Sequence, residues 1–159
     1  MAISKGERVP DATFTTMGED GPMPVSGDEL FKGKRVVLFA VPGAYTPTCS
    51  AKHLPGFAGN TDAFKAKGVD TVACTSVNDV FVMDAWGRDQ QAKDVMMLAD
   101  GNGEFAEAIG LTMDASGFGM GTRSQRYAMV VNDGVVEDIF VEGPGEFKVS
   151  SADYVLDQL

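Results

Sequence analysis

The residues best suited to chemistry lie close together in the segment VPGAYTPTCSAKHLPGF, which holds Pro42, Thr46 and Cys49. Cys49 follows the apolar run VVLFAV at 36–41 and enters a stretch that reads as a helix. Thr46 is placed to cap that helix, and Pro47 falls at a first helical position, where a missing N–H is harmless. A cysteine in a first helical turn faces unpaired backbone N–H groups and the positive end of the helix dipole, and both favour thiolate over thiol. The thiolate is the nucleophile, so this position suits attack on an electrophilic atom. Pro42 and Pro47 restrict the loop backbone before any substrate arrives. Thr46 can cap the helix or turn its hydroxyl toward whatever the sulfur attacks. The competing reading is a small buried cysteine with no chemistry, which is what most lone cysteines are. Its place at the carboxyl end of a strand, where open α/β sheets put their sites, favours the reactive reading.

Other candidates are weaker. His53, the only histidine, lies four residues after Cys49, so a Cys-His hydrolase has to be weighed. One helical turn holds the two side chains parallel, and no Asn or Asp is evidently set to orient the imidazole. His53 therefore reads as a structural or supporting residue outside the catalytic set. Two cysteines and one histidine are too few for a zinc site or a disulfide framework, so no metal is expected. Cys74, inside VDTVACTS, reads as a core residue, as do Phe81 and Trp86 at helical spacing. GFGMGTRSQR lacks the preceding strand and following helix of a phosphate-binding loop and reads as a flexible connection flanking the site. Arg123 and Arg126, taken alone, are edge charges before a strand.

The elements that must position these groups suggest a mixed α/β fold. VVLFAV at 36–41 and VDTVACTS at 69–76 are short β-branched runs suited to strands buried on both faces. Each is followed by a helix candidate, the second being SVNDVFVMDAWGRDQ, with Val77, Phe81, Ala85 and Trp86 on one face and Asp79 near its start. Strand, helix, strand, helix implies parallel pairing. VMMLAD at 95–100 predicts a strand and GEFAEAIG a short helix ended by glycine. RYAMVVNDGVVEDIFVEG predicts a hairpin turning at Asn132-Asp133-Gly134, and SSADYVLDQL a helix capped by Ser151. DATFTT and PMPVS predict a small outer hairpin. The result is a central mixed sheet with helices on both faces.

Composition bounds the function. The chain has 159 residues, 44% of them hydrophobic, which is the size of one domain spanning 1–159 with a substantial core. Thirteen basic against 23 acidic residues give a net charge of −10, which disfavours nucleic acid and anionic membranes as partners. No apolar run is long enough to span a membrane and MAISKGERVPDATF lacks a signal core, so the expected location is cytoplasmic.

PGAYTPTCS resembles the active-site signature of the peroxiredoxins, Pro-x-x-x-Thr-x-x-Cys. VPGAYTPTCSAKHLPGF, VACTSVNDVFVMDAWGRDQ and GTRSQRYAMVVNDG are together similar to the "peroxiredoxin five" or type II subfamily, in order and across essentially the whole chain. The resemblance implies a thioredoxin-like fold and a thiol peroxidase needing no cofactor. It makes Cys49 the peroxidatic residue, oxidised by hydrogen peroxide or an organic hydroperoxide to a sulfenic acid. Thr46 would bond the peroxide, Pro42 would shield the sulfur, and Arg126 would stabilise the thiolate and the transition state, with backbone N–H groups of Thr48 and Cys49 as further donors. Two-cysteine members of the subfamily carry a resolving cysteine near the C-terminus, where this chain has Ser150 and Ser151. The expected route is therefore one-cysteine, with glutathione and glutaredoxin, or thioredoxin, as the external reductant. A noncovalent homodimer is expected, with Tyr45 as a candidate contact. The alternative is a non-catalytic thioredoxin-like redox sensor or holdase switched by oxidation of Cys49.

Overall fold

Two β-branched runs fix the centre of the protein, for which the computed structural model describes residues 1–159. Strands β3 (Arg35–Ala40) and β4 (Thr71–Ser76) pair in parallel, with Phe39 opposite Cys74. Val36 to Ala40 are fully buried, because both faces of β3 are covered. Around this pair lies one seven-stranded mixed sheet, in the order β2-β1-β5-β4-β3-β8-β9. Its other members are β1 (Thr13–Gly18), β2 (Gly21–Ser26), β5 (Met96–Ala99), β8 (Tyr127–Asn132) and β9 (Val135–Val141). The predicted outer hairpin is part of this sheet: Thr15 of β1 pairs with Ala99 of β5, and Phe14 is fully buried against Phe105.

Helices cover both faces, as the alternating pattern predicts. On one side Val37, Phe39 and Cys74 of the sheet pack against α2 (Leu54–Ala58), α3 (Thr61–Ala66), α4 (Val80–Asp89) and α6 (Ala152–Gln158). On the other, Val36, Leu38 and Met129 pack against α1 (Gly27–Phe31) and α5 (Glu104–Ala108). No helix is long and apolar enough to cross a membrane.

Local chemistry sets the ends. Asp79 Oδ1 accepts from Val82 N at 2.9 Å and Ser151 Oγ from Tyr154 N at 3.2 Å, capping α4 and α6. Between β8 and β9, Asp133 (φ 49°) and Gly134 (φ 82°) both take positive φ, as a two-residue hairpin turn requires. The apolar face of α4 differs from the prediction. Because the cap puts Val80 at the first helical position, the buried stripe is Val80, Met83, Trp86 and Gly87, and Phe81 is 63% exposed. GFGMGTRSQR is also more ordered than a flexible connection: β7 (Thr122–Ser124) pairs antiparallel with β6 (Thr112–Asp114) in a second, two-stranded sheet.

Candidate active site

The chain leaves the middle of the sheet at Pro42, just after Val41 N donates to Thr75 O at 3.1 Å. The loop that follows is clamped from three sides. Asn78 Oδ1 accepts Ala44 N at 3.0 Å and Ser76 Oγ at 2.6 Å. Tyr45, held at φ 64°, donates its hydroxyl to Asp89 Oδ2 at 2.6 Å. Arg123 donates Nε to Met120 O at 2.9 Å and Nη1 to Pro42 O at 3.4 Å. A non-glycine residue in the left-handed region costs about 1–2 kcal/mol, so the clamps must hold Tyr45 there. A Cβ at Gly43 would be tight, lying 3.1 Å from Met120 Cε and 3.2 Å from Arg123 Nη1, so those side chains would have to shift by a few tenths of an ångström.

Thr46 does not cap through its side chain. Its carbonyl accepts from Ser50 N at 2.9 Å, while its hydroxyl donates to Gly43 O at 2.7 Å. That donation uses the only hydroxyl hydrogen and leaves Thr46 Oγ1 free to act as an acceptor. The predicted helix starts at Pro47 and runs unbroken to Ala58, but it is not uniform: after Pro47 and Thr48, Cys49–His53 form a π-helical turn, closed by Leu54 N donating to Cys49 O, and α2 follows directly. Pro55 has no N–H to give the ladder, which is a local reason for the irregularity. Ser50 Oγ accepts the indole N–H of the fully buried Trp86 at 3.0 Å.

Cys49 is fully buried, so the competing core reading describes its burial correctly, but its partner is not a core partner. Arg126 Nη2 donates to Cys49 Sγ at 3.0 Å. A guanidinium N–H interacts more strongly with an ionised than with a neutral acceptor. The sheet delivers Arg126: Tyr127 of β8 pairs with Ala40 at the end of β3, which puts Arg126 beside the loop that β3 feeds. Glu142 N donates to Arg126 O at 3.0 Å, and the Arg126 guanidinium carbon lies 5.9 Å from the Phe147 ring centroid. Arg123, the rival, reaches the loop backbone and makes no bond to the sulfur. The backbone N–H groups of Thr48 and Cys49 make no hydrogen bond within the protein.

His53 proves to be part of the site, although its chemistry differs from that of a Cys-His pair. Its Nδ1 accepts from Arg126 Nη1 at 2.7 Å, and its Nε2 donates to Ser150 O at 2.9 Å. Ser150 in turn sits in a turn organised by Glu142, whose carboxylate accepts from Lys148 N, Val149 N, Ser150 N and Ser150 Oγ. Burial pushes the Glu142 carboxyl up, but these four donors outweigh it and hold it below the ordinary value. The sequence carried no local signal for this turn.

Burial, then repulsion from Arg126, lowers His53 to about 3. The unfolded chain takes up a proton near 6.5 whereas the folded protein does not until about 3, so protonation of this group favours unfolding as pH falls below 6.5. With no second histidine to obscure it, the urea-unfolding free energy should drop by about 2 kcal/mol between pH 7.5 and 5. The drop should vanish in His53→Asn, and a flat wild-type profile over that range would contradict it.

A cavity of about 680 Å³, lined by Pro42, Thr48, Arg126, Phe118, Glu142 and Glu146 among others, reaches the arginine that touches the sulfur. Of the predicted set, Pro42 and Arg126 meet in its wall, Cys49 joins them through the Arg126 contact without lining the cavity, and Thr46 lies just ahead of the helix that carries Cys49. Cys74 stands apart: it lies in the core, and burial first, then the Cys49 charge, pushes its thiol well above the usual value. Both cysteines are free.

A thiol at a strand-to-helix junction, bonded by an arginine just ahead of a neighbouring strand in a mixed sheet, fits a thioredoxin-like redox protein. The family model described as Redoxin matches residues 4–156. The chain belongs to this family and, more particularly, to the peroxiredoxins of the "five" or type II kind. It is 45% identical to the hybrid peroxiredoxin hyPrx5 of Haemophilus influenzae, over 100% of this chain and 67% of that protein. It is 46% identical to peroxiredoxin-2B of Arabidopsis thaliana, over 99% of this chain and 98% of that one. The crystal structure of reduced Prx3 from Vibrio vulnificus in complex with hydrogen peroxide superposes with a TM-score of 0.95 at 52% identity, covering 98% of each chain. The protein is accordingly a thiol-dependent peroxidase.

Proposed function

We propose that the protein reduces hydrogen peroxide and small organic hydroperoxides through a sulfenic acid on Cys49 and is recycled by an external thiol. The observation that carries this reading is the 3.0 Å bond from Arg126 Nη2 to Cys49 Sγ, beside two backbone N–H groups with no partner. In the reaction the thiolate attacks one peroxide oxygen along the O–O axis. The S–O bond forms as the O–O bond breaks, and the departing oxygen takes a proton to leave as water or an alcohol. Negative charge shifts from sulfur onto both oxygens, where the remaining guanidinium and backbone donors stabilise it. Thr46 Oγ1, its hydrogen held by Gly43 O, accepts the peroxide hydrogen and so fixes which way the substrate lies. Pro42 lines the entrance and keeps water from the sulfur.

A first external thiol then attacks the sulfenic sulfur and expels water, forming a mixed disulfide, and a second thiol releases Cys49. Val149, Ser150 and Ser151 carry no resolving thiol, and Cys74 is locked in a strand, which favours the one-cysteine route. Glutathione with glutaredoxin is the first choice of reductant and thioredoxin the second. A buried sulfur can meet such partners only after the Cys49–His53 turn opens. Exposed Tyr45 (50%) and Phe118 (82%), close to the site, support a noncovalent homodimer as the working form. Two unpaired cysteines support a cytoplasmic setting for one unit spanning 1–159. Peroxide consumption measured with each reductant in turn tests the cycle. Sustained turnover with at least one of them is expected, and consumption of one equivalent per chain with every reductant would instead support the sensor.

A further inference from the structure

His53 forms and breaks no bond in the cycle above, yet it is the side chain that accepts from Arg126 Nη1 while Nη2 reaches the sulfur. We propose that His53 is the positioning residue of this peroxidase, an uncharged acceptor that holds the Arg126 guanidinium against Cys49 Sγ and is itself fixed by the Ser150 carbonyl on the Glu142-organised turn. The inference rests on the peroxidase reading and extends it to a residue that does not touch the peroxide.

Hydrogen-bond chemistry allows one state of the ring. Arginine has only donors, so His53 Nδ1, 2.7 Å from Arg126 Nη1, must be the acceptor. The Ser150 carbonyl only accepts, so Nε2, 2.9 Å away, must carry the hydrogen. A single neutral tautomer satisfies both bonds, and a second ring proton would point an N–H at a cation. The imidazole is fully buried and packs against Phe39 at 4.9 Å and Phe147 at 5.0 Å between ring centroids.

A neutral anchor matters for charge. The guanidinium is planar, so fixing Nη1 on the ring and Nη2 on the sulfur sets the whole fork. A carboxylate in place of the ring would orient Arg126 equally well but would cancel the positive charge that the sulfur and the peroxide oxygens need. The cavity offers that wrong partner, because Glu142 and Glu146 both line it with Arg126. Glu142 is kept occupied by four donors from 148–150, and Glu146 by Lys148 Nζ at 2.6 Å. His53 thus holds Arg126 on the sulfur although the cavity that Arg126 lines also carries Asp114, Glu142 and Glu146.

The test compares wild type with His53→Leu, His53→Asn and His53→Asp. Each is assayed for oxidation of Cys49 by hydrogen peroxide, for alkylation of Cys49 by iodoacetamide, and for thermal unfolding. In His53→Leu the peroxide rate constant should fall about 10- to 100-fold, as expected when a reacting group is misplaced by about 1 Å, while alkylation changes far less. Asn, whose Oδ1 can stand where Nδ1 stood, should recover most of the rate, and Asp, of the same size, should be as slow as Leu. A structural role alone would slow both reactions together and treat Asn and Asp alike, and either result would overturn the proposal. If the His53 variants do not fold, Glu142→Gln decides: a lowered peroxide rate with alkylation preserved supports the relay, and an unchanged peroxide rate overturns it. A wild-type rate no faster than that of free cysteine removes the peroxidase reading and the inference together. A fast wild-type rate left intact in folded His53→Leu removes only the inference.

Discussion

Peroxide turnover by Cys49→Ser protein falls to the background of the reductant alone, whereas Cys74→Ala protein keeps most of the wild-type rate. Serine keeps an acceptor near Arg126 Nη2 and is close in size to cysteine, so the loop and the arginine have no reason to move. What it removes is the ionisable, polarisable nucleophile, since an unassisted hydroxyl is protonated at neutral pH and does not attack peroxide. Cys74 differs in every relevant respect. It lies on β4 opposite Phe39, is fully buried, and burial holds its sulfur in the unreactive thiol form. Alanine is the better probe there, because serine would bury a hydroxyl with no assured partner. The small cavity left should cost about 1–2 kcal/mol in unfolding free energy without reaching the loop. Peroxide consumption with the best reductant, measured for the three proteins at equal concentration, checks both halves. Lost turnover in folded Cys74→Ala would make Cys74 the resolving thiol and end the one-cysteine assignment.

Much of this arrangement is legible in the sequence where the determinants are local. The buried β3 and β4, the caps at Asp79 and Ser151, and the turn at Asp133-Gly134 each depend on a few neighbouring residues whose preferences agree with the fold. Pro42, Thr46 and Cys49 share one segment and one strand-to-helix junction, so their assembly needs no long-range knowledge. Arg126 is different: residue chemistry alone does not separate it from Arg123, and the family resemblance made the choice. The physical reason is the register of β8 against β3, which pairs Tyr127 with Ala40 and so aligns the preceding residue with the loop.

Two details depart from a simple helical count. A stripe counted from Val77 includes a residue ahead of the cap, and starting from Val80 puts Phe81 outside and Met83 inside. The helix that starts at Pro47 is continuous, but Pro55 cannot donate to its ladder, and the chain answers with the π turn Cys49–His53. The His53 connections were beyond any local reading. The bonds from His53 to Arg126 and Ser150 span 73 and 97 residues, and the Glu142 turn is recognisable only once the backbone of 148–150 folds over its carboxylate. Isolated polar residues at those positions look like ordinary surface chemistry.

Arg126→Met should slow the oxidation of Cys49 by hydrogen peroxide about 10²- to 10³-fold, a loss of about 3–4 kcal/mol of transition-state stabilisation, as for removal of one oxyanion-type donor. Methionine matches the length of the arginine stem and can keep the packing against Phe147, so the lost elements are the charge and the fork. Folding should survive, because the substitution removes a half-buried cation and with it part of the repulsion that lowers His53. Arg126→Lys should fall between the two, since an ammonium keeps the charge but cannot present two coplanar donors to Cys49 Sγ and His53 Nδ1 together. Arg123→Met is the control: its guanidinium reaches Pro42 O at 3.4 Å and makes no bond to the sulfur, so its loss loosens the loop and should cost the rate less than Arg126→Met. Stopped-flow oxidation of each reduced protein ranks the four. A rate in Arg126→Met equal to that in Arg123→Met would mean that loop geometry, and not the donor on the sulfur, limits the reaction.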